Sequence, residues 1–201
     1  MSQEHYFSAS PDSQAALRDI TFHVGDREFS VQAASGTFSA SKLDPGTGIL
    51  LSKFEEFPSE GNVLDLGCGW GPISLAIASF SPETKIWALD VNSRSLDLAK
   101  SNAAKLGLDN IQAVTADQIS AEIRFDAIWS NPPIRIGKAA LHELLKTWLP
   151  RLESGGRAML VVQKQLGADS LLAWIQSEFS ELTATRFSTD KGFRVLEVTR
   201  D

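Results

Sequence analysis

Three glycines at alternate positions, directly after a short apolar stretch, constrain this chain more than any other feature. In Asn62-Val63-Leu64-Asp65-Leu66-Gly67-Cys68-Gly69-Trp70-Gly71-Pro72, the apolar run reads as a buried parallel strand. Pro72 suits the first turn of a helix, where its missing N–H costs nothing, and Ile73, Leu75, Ala76, Ile77 and Ala78 continue as a packed helix would. Strand, glycine turn and helix in this order bring backbone amides and a helix N-terminus to the carboxyl end of a strand. Ligands of open α/β sheets bind there.

The turn also limits the ligand. Glycines let the backbone take positive φ and approach a bound molecule closely. Their spacing is Gly-x-Gly-x-Gly, not the Gly-x-Gly-x-x-Gly of dinucleotide-binding turns. Asp65 would repel a pyrophosphate but suits a cationic group such as an amino-acid ammonium. Together these features lean away from NAD and towards S-adenosylmethionine (SAM). The next apolar run, Lys85 to Leu89, ends in Asp90, about 20 residues beyond the glycines, where a carboxylate can accept from both ribose hydroxyls.

Composition narrows the class further. With 201 residues, 43% hydrophobic and 22% charged, the chain reads as one globular domain or a domain with a short extension. No apolar run is long enough to span a membrane, and the first residues are too polar for a signal peptide. Cys68 is the only cysteine, and His5, His23 and His142 are scattered, so neither a disulfide nor a zinc site is expected. A cytoplasmic, metal-free protein is the plain expectation. The formal charge of −6 argues against sequence-independent wrapping of nucleic acid, while allowing a local basic patch.

Taken in order, the residues before about Ile20 read as loosely structured. Ile20 to Val24 and Phe29 to Val31 alternate around Gly25-Asp26, the pattern of a tight hairpin. The passage Gly36 to Gly48 reads as a glycine-rich loop. Residues 1–50 are therefore expected to form an extension with a β-hairpin covering the site, and residues 51–201 the main domain. Asn92 or Ser93 can cap a helix carrying Leu96, Ala99, Ala103 and Leu106, with Gly107 as its stop. Strands follow at Ile111–Thr115, Arg124–Trp129 and Ala158–Val162. Leu141, Leu144, Leu145, Trp148 and Leu152 keep helical spacing, as do Leu171, Leu172, Ile175 and Phe179. Two strand-like runs close the chain. This alternation predicts an α/β fold: a doubly wound, mostly parallel Rossmann-like sheet with an antiparallel C-terminal edge.

A second constellation, Asn131-Pro132-Pro133-Ile134, ends the Arg124–Trp129 strand and so falls on the same carboxyl edge. The prolines remove two N–H donors and stiffen the backbone. The Asn131 side-chain carbonyl and the Pro132 main-chain carbonyl could then both accept from one planar amino group, orienting it for attack on an electrophile. Taken alone, Asn-Pro-Pro could equally end a strand and do nothing more. The five tryptophans sit mostly in apolar patterns and read as core.

Asp65-Leu66-Gly67-Cys68-Gly69-Trp70-Gly71, Asp90, Asp117 and Asn131-Pro132-Pro133-Ile134 together resemble the class I SAM-dependent methyltransferases acting on amino nitrogen. Gly36-Thr37-Phe38-Ser39, Leu43-Asp44-Pro45-Gly46-Thr47 and the run Ile134 to Lys138 look more closely like the small-subunit ribosomal RNA (guanine-N2) methyltransferases and their single-domain relatives. The resemblance implies that Gly67, Cys68, Gly69 and Gly71 line the methionine part of SAM, with Asp65 near its ammonium. Asp90 would hold the ribose, Val91 would pack on the adenine, and Asp117 with Gln118 would face its amino edge. Asn131, Pro132, Pro133 and Ile134 would form the catalytic turn, with Asn131 also facing the cofactor. Methyl transfer would be a direct displacement, with the proton leaving to water. Arg135, Lys138, Lys164 and Arg194 are candidate contacts to ribosomal RNA or the small ribosomal subunit.

Two departures from the family pattern stand out. The residue after Asn-Pro-Pro is Ile134, where many amino methyltransferases carry an aromatic that stacks on the base; Phe38 is the candidate replacement. Members of the ribosomal group often carry two methyltransferase-like halves, whereas this chain has one; a homodimer could supply the missing surface. Asn-Pro-Pro also suits a protein glutamine, adenine N6 or a small molecule as acceptor, and a non-catalytic SAM- or RNA-binding module is the third alternative.

Overall fold

Alternating burial along each central strand explains the architecture. In Glu60–Leu66, Val63 faces one apolar cluster while Leu64 and Leu66 face another. The same alternation recurs where Trp129 and Ile128 point to opposite faces. A sheet apolar on both faces must be covered by helices on both. The computed structural model describes residues 16–201. Its strands are β1 Leu17–Val24, β2 Arg27–Ala34, β3 Glu60–Leu66, β4 Glu83–Leu89, β5 Ile111–Val114, β6 Phe125–Ser130, β7 Leu152–Gln163, β8 Leu182–Asp190 and β9 Phe193–Arg200. Helices are α1 Pro45–Leu51, α2 Pro72–Phe80, α3 Ser93–Leu106, α4 Lys138–Trp148 and α5 Ala168–Glu178.

Seven strands form one sheet in the order β5-β4-β3-β6-β7-β9-β8. The first five are parallel to their neighbours, while β9 pairs antiparallel with both β7 and β8. The doubly wound sheet with an antiparallel C-terminal edge is therefore as expected. From β3 the chain winds outward through β4 and β5, then returns to lay β6 on the other side of β3. That reversal places the topological switch point between the carboxyl ends of β3 and β6, where such sheets bind ligands.

The hairpin forms across Gly25-Asp26, with Val24 opposite Arg27. Gly25 at φ 56° provides the left-handed backbone that the two-residue turn needs. The expectation of loose structure before Ile20 falls mainly on residues 1–15, outside the described residues; β1 itself already begins at Leu17. Two further expectations need correction. The passage read as loop to Gly48 contains α1, started by Asp44 as N-cap and Pro45 in the first turn. Leu152 is not on α4: Pro150 follows the helix end in a short 3-10 turn, and Leu152 opens β7.

The hairpin's apolar face shares a core with α1, α2 and β3. Asn102, buried on α3, fastens it there. Its Oδ1 accepts from Gln32 N at 2.8 Å, and its Nδ2 donates to the carbonyls of Gln32 and Trp70 at 2.8 and 3.0 Å. One side chain thus ties the N-terminal segment to the glycine turn.

Candidate functional site

Both turns singled out in the sequence open onto one cleft of about 360 Å³ at the switch point. Its polar and apolar lining includes Gly67, Asp90 and Val91 on one side and Asn131, Pro132 and Ile134 on the other. A volume of this size lies in the range of small-molecule sites.

The turn after β3 is built by backbone pairing. Gly67 N and Cys68 N both donate to Leu89 O at 2.9 Å, and Gly69 N donates to Asp90 Oδ2 at 2.9 Å. Gly71 sits at φ 94° as N-cap of α2, and a Cβ there would meet the Ala99 Cβ at 3.2 Å. Gly69, at φ 56°, has open space where a Cβ would stand. Gly67 lines the cleft. The Cys68 side chain turns inward among Ala88, Leu96, Ala99 and Ala113, so only its backbone belongs to the turn. Burial pushes the Cys68 thiol up, as do the neighbouring acids Asp90 and Asp65.

The two acids behave differently. Asp90 accepts at both carboxylate oxygens, from Gly69 N and from Asn92 N at 2.9 Å each. A carboxylate has about four lone-pair sites, so Asp90 retains acceptor capacity towards the cleft it lines. Burial raises its pKa above the ordinary carboxylate value, against the pull of those backbone donors. Asp65 is fully buried. Its Oδ2 accepts from Ser74 N at 2.9 Å and from Ser74 Oγ at 2.6 Å, whereas Oδ1 is a buried oxygen without a hydrogen-bond partner. Burial raises its pKa to about 7, with the Ser74 bonds opposing and the nearby Asp90 reinforcing.

Beyond Asp90, Val91 is 57% exposed and leaves its apolar side chain open on the cleft. Ala116, not the expected pair, lines the wall after β5. Asp117 is exposed to solvent, and the Gln118 side chain folds back to accept from Thr115 N at 2.9 Å, closing a capping box. That local bond occupies the Gln118 carbonyl, and neither Asp117 nor Gln118 lines the cleft.

The turn after β6 is tightly folded. Pro132 O accepts from Ile134 N at 2.8 Å across Pro133, whose φ −75° and ψ 70° form an inverse γ-turn. One lone pair of the Pro132 carbonyl is therefore already used, which leaves the other for an incoming donor. Asn131 Nδ2 donates to Asp44 Oδ1 at 2.7 Å and to Thr47 Oγ1 at 3.0 Å. A carboxylate can only accept, so the NH2 side of the amide must face Asp44. The Asn131 carbonyl oxygen is thereby turned from Asp44 and left available to the cleft. Asp44 itself also lines the cleft. These two partners were missed in the sequence; the signal available was the Asp44-Pro45 start of α1.

Around this turn the cleft is apolar. Ile134, Leu144, Trp148, Val161 and Phe193 contribute to its wall, with Phe38 at 41% exposure on its rim. Of the cationic candidates, Arg135 lines the cleft, while Lys138 and Lys164 are exposed and lie outside its lining. Arg194 is mostly buried and forms an ion pair with Asp169. It is a structural cation on β9, which corrects its assignment to the substrate mouth. Among the described residues no helix is long and apolar enough to cross a membrane.

The family model of the methyltransferase small domain matches residues 28–197. The chain is 32% identical over 197 residues to the Bacillus subtilis "Uncharacterized protein YbxB", covering 96% of this chain and 97% of that one. It is 32% identical over 164 residues to ribosomal RNA small subunit methyltransferase C of Pseudomonas syringae pv. tomato, covering 79% of this chain and 49% of the relative. In fold it resembles the solved T. thermophilus 16S rRNA N2 methyltransferase RsmC in complex with AdoMet and guanosine. The TM-score is 0.80 at 24% identity, over 95% of this chain and 52% of that one. The chain thus spans about half the length of the ribosomal RNA methyltransferases it matches.

Proposed function

This chain belongs to the methyltransferase small domain family, with S-adenosylmethionine as cofactor, and from that premise we propose that it methylates an exocyclic amino nitrogen, guanine N2 of small-subunit ribosomal RNA. The observation that carries the reading is the Asn131 amide, held by Asp44 and Thr47 with its carbonyl side free, in the same cleft as the glycine turn.

The residues of the turn and cleft suit the cofactor. Gly67 lines the cleft, and open space over Gly69 leaves room for close approach to the backbone. Val91 offers an apolar surface suited to an adenine, and Asp90 retains acceptor capacity suited to ribose hydroxyls. The unpartnered Asp65 Oδ1 suits a nearby ammonium. Gly67, Gly69, Asp90 and Val91 would therefore hold SAM, with Asp65 behind them. When bound, SAM supplies an electrophilic methyl carbon on a positively charged sulfur.

The chain's own contribution is placement. Asn131 Oδ1 accepts one N–H of the incoming amine, and the remaining lone pair of the Pro132 carbonyl accepts the other. Fixing both N–H bonds directs the nitrogen lone pair across the cleft. Orientation of this kind is worth about 7–11 kcal/mol in well-arranged reactions. The apolar wall of Ile134, Leu144, Trp148 and Phe193 accommodates a flat ring and keeps competing water from the amine. Guanine in ribosomal RNA is favoured over other planar amines by the names of the similar proteins and by the RNA-group matches before α1 and after Pro133.

The test uses SAM with a radiolabelled methyl group, offered to hypomethylated small subunits, to naked ribosomal RNA and to cell protein. Label recovered at guanine N2 after digestion is the expected result. Label only in protein or on adenine would overturn the target, and bound SAM with no label anywhere would overturn catalysis.

A further inference from the structure

Asp44 meets the cleft with one carboxylate oxygen fully used and the other open. Oδ1 accepts from Gly46 N at 2.8 Å, Thr47 N at 3.1 Å and Asn131 Nδ2 at 2.7 Å. Oδ2 takes no hydrogen bond from any described residue. The side chain is half-buried and lines the cleft together with Asn131. Two jobs inside the protein, capping α1 and turning the Asn131 amide, need only one oxygen. The second oxygen is unclaimed among the described residues, on a side chain that lines the cleft beside the Asn131 amide.

The geometry points to Asp44 as the residue that selects the acceptor: it favours an amine whose ring neighbour is an N–H over one whose ring neighbour is a bare nitrogen. This rests on the reading of Asn131 given under Proposed function. With Asn131 Oδ1 on the exocyclic amine, Asp44 Oδ2 accepts the adjacent ring N–H. Guanine presents N2–H and N1–H side by side, one donor for the Asn131 carbonyl and one for the free oxygen of its Asp44 partner. Adenine and cytosine present their amine beside an unprotonated ring nitrogen. That lone pair would face the Asp44 oxygen, leaving two acceptors unpaired in a largely apolar site, and sites built on a hydrogen bond reject partners that cannot make it. A primary amide has no ring N–H and gains nothing at Asp44. The same carboxylate thus aligns the amide and reads the edge next to the reacting nitrogen.

The experiment compares binding of three nucleosides by equilibrium dialysis, with S-adenosylhomocysteine present throughout. Guanosine carries the donor row, 2-aminopurine riboside has the same amine beside a bare ring nitrogen, and 1-methylguanosine has its ring N–H replaced. The wild-type protein is expected to bind guanosine about tenfold or more tightly than either analogue. Asp44→Asn separates this contact from other differences between the bases. Its amide oxygen is kept at the Oδ1 position by the three donors there, so its NH2 faces the cleft. The guanosine preference over 2-aminopurine should fall by about tenfold or invert. Thr47→Val, which removes one Asn131 contact and leaves Asp44 Oδ2 in place, should weaken both without changing their ratio.

Equal wild-type binding of all three nucleosides, no binding of guanosine, or an unchanged ratio in Asp44→Asn would each overturn the assignment. The analogues test the wild-type protein, so the result does not depend on a variant folding. Failure of the parent reading would look different: no methyl label reaches guanine. If only the Asp44 assignment fails, label still reaches guanine.

Discussion

The turn after β3 and the turn after β6 face the same cleft but are assembled from different distances in the chain. Gly67, Cys68 and Gly69 are held by amide bonds to Leu89 and Asp90, at the end of the very next strand. Asn131 is held by Asp44 and Thr47, 87 and 84 residues away, on a helix that precedes the main sheet. The glycine turn, the proposed cofactor side, is thus a product of one strand-helix-strand unit, and the Asn131 turn, the proposed acceptor side, needs the N-terminal segment docked. This difference teaches that the segment before the main sheet supplies, through Asp44 and Thr47, two of the groups that set Asn131.

The largest effect that would break this comparison is in catalysis. Asn131→Ala should lower methyl transfer by about 10²–10³-fold, the range seen when one preorganised polar contact to a reacting group is removed. SAM affinity, measured by calorimetry, should change by only a few-fold, because the glycine turn makes no hydrogen bond to Asn131. An equal loss of both would mean that the two turns are one unit.

A second test concerns the cofactor turn alone. Asp65 has a folded pKa of about 7 against an ordinary 3.8, because burial penalises its charge. Its contribution to stability is therefore fully present below pH 3.8 and is lost as pH rises through about 7. In Asp65→Asn the amide oxygen can still accept from Ser74, and no charge is forced into the core. Urea unfolding between acid and neutral pH should show the variant gaining on the wild type by up to a few kcal/mol, with a plateau above neutrality. A pH-independent difference would show that Asp65 titrates normally.

Glycines in that turn should separate in the same way. Gly71→Ala forces a left-handed backbone and a contact with Ala99 together, and should destabilise by about 2–4 kcal/mol. Gly69→Ala meets open space and should cost only about 1–2 kcal/mol in thermal or urea unfolding. SAM affinity measured on the same variant tests whether the open space over Gly69 belongs to the cofactor; an unchanged affinity would remove Gly69 from the proposed site.

How much of this was legible in the sequence follows the same division. Strand order, the caps at Asn92 and Gly107, and the place of both turns could be read because periodicity and local turn chemistry encode them. The place of Asp90 at the end of its strand was legible for the same reason, whereas Val91 came from the family resemblance alone; both line the cleft. Asp44 and Thr47 were not, because nothing in a linear pattern says that one N-cap will reach a side chain across the sheet. Gln118 and Arg194 misled because local capping and a buried ion pair claim polar groups that looked free. Cys68 differs in a third way: its backbone belongs to the turn, but its apolar thiol is buried among Ala88, Leu96, Ala99 and Ala113.

Phe38 carries the smallest expected effect and the sharpest question about the two turns. Ile134 can touch a base but has no π face to stack on it. Phe38 lies on the cleft rim at 41% exposure, next to Ser39, whose left-handed φ of 53° turns the chain there. The Ser39 carbonyl accepts from Trp70 Nε1 at 3.3 Å, so the rim aromatic is anchored to the glycine turn and not to the Asn131 turn. Stacking of one base on an aromatic is worth about 1–3 kcal/mol. Phe38→Ala should therefore raise KM for the RNA by about tenfold while leaving kcat within a few-fold. Loss of kcat instead would mean that Phe38 sets the angle of the amine, which would place part of the acceptor geometry on the cofactor side. Unchanged methylation would remove Phe38 from the site and leave the apolar wall around Ile134 as the surface that holds the base.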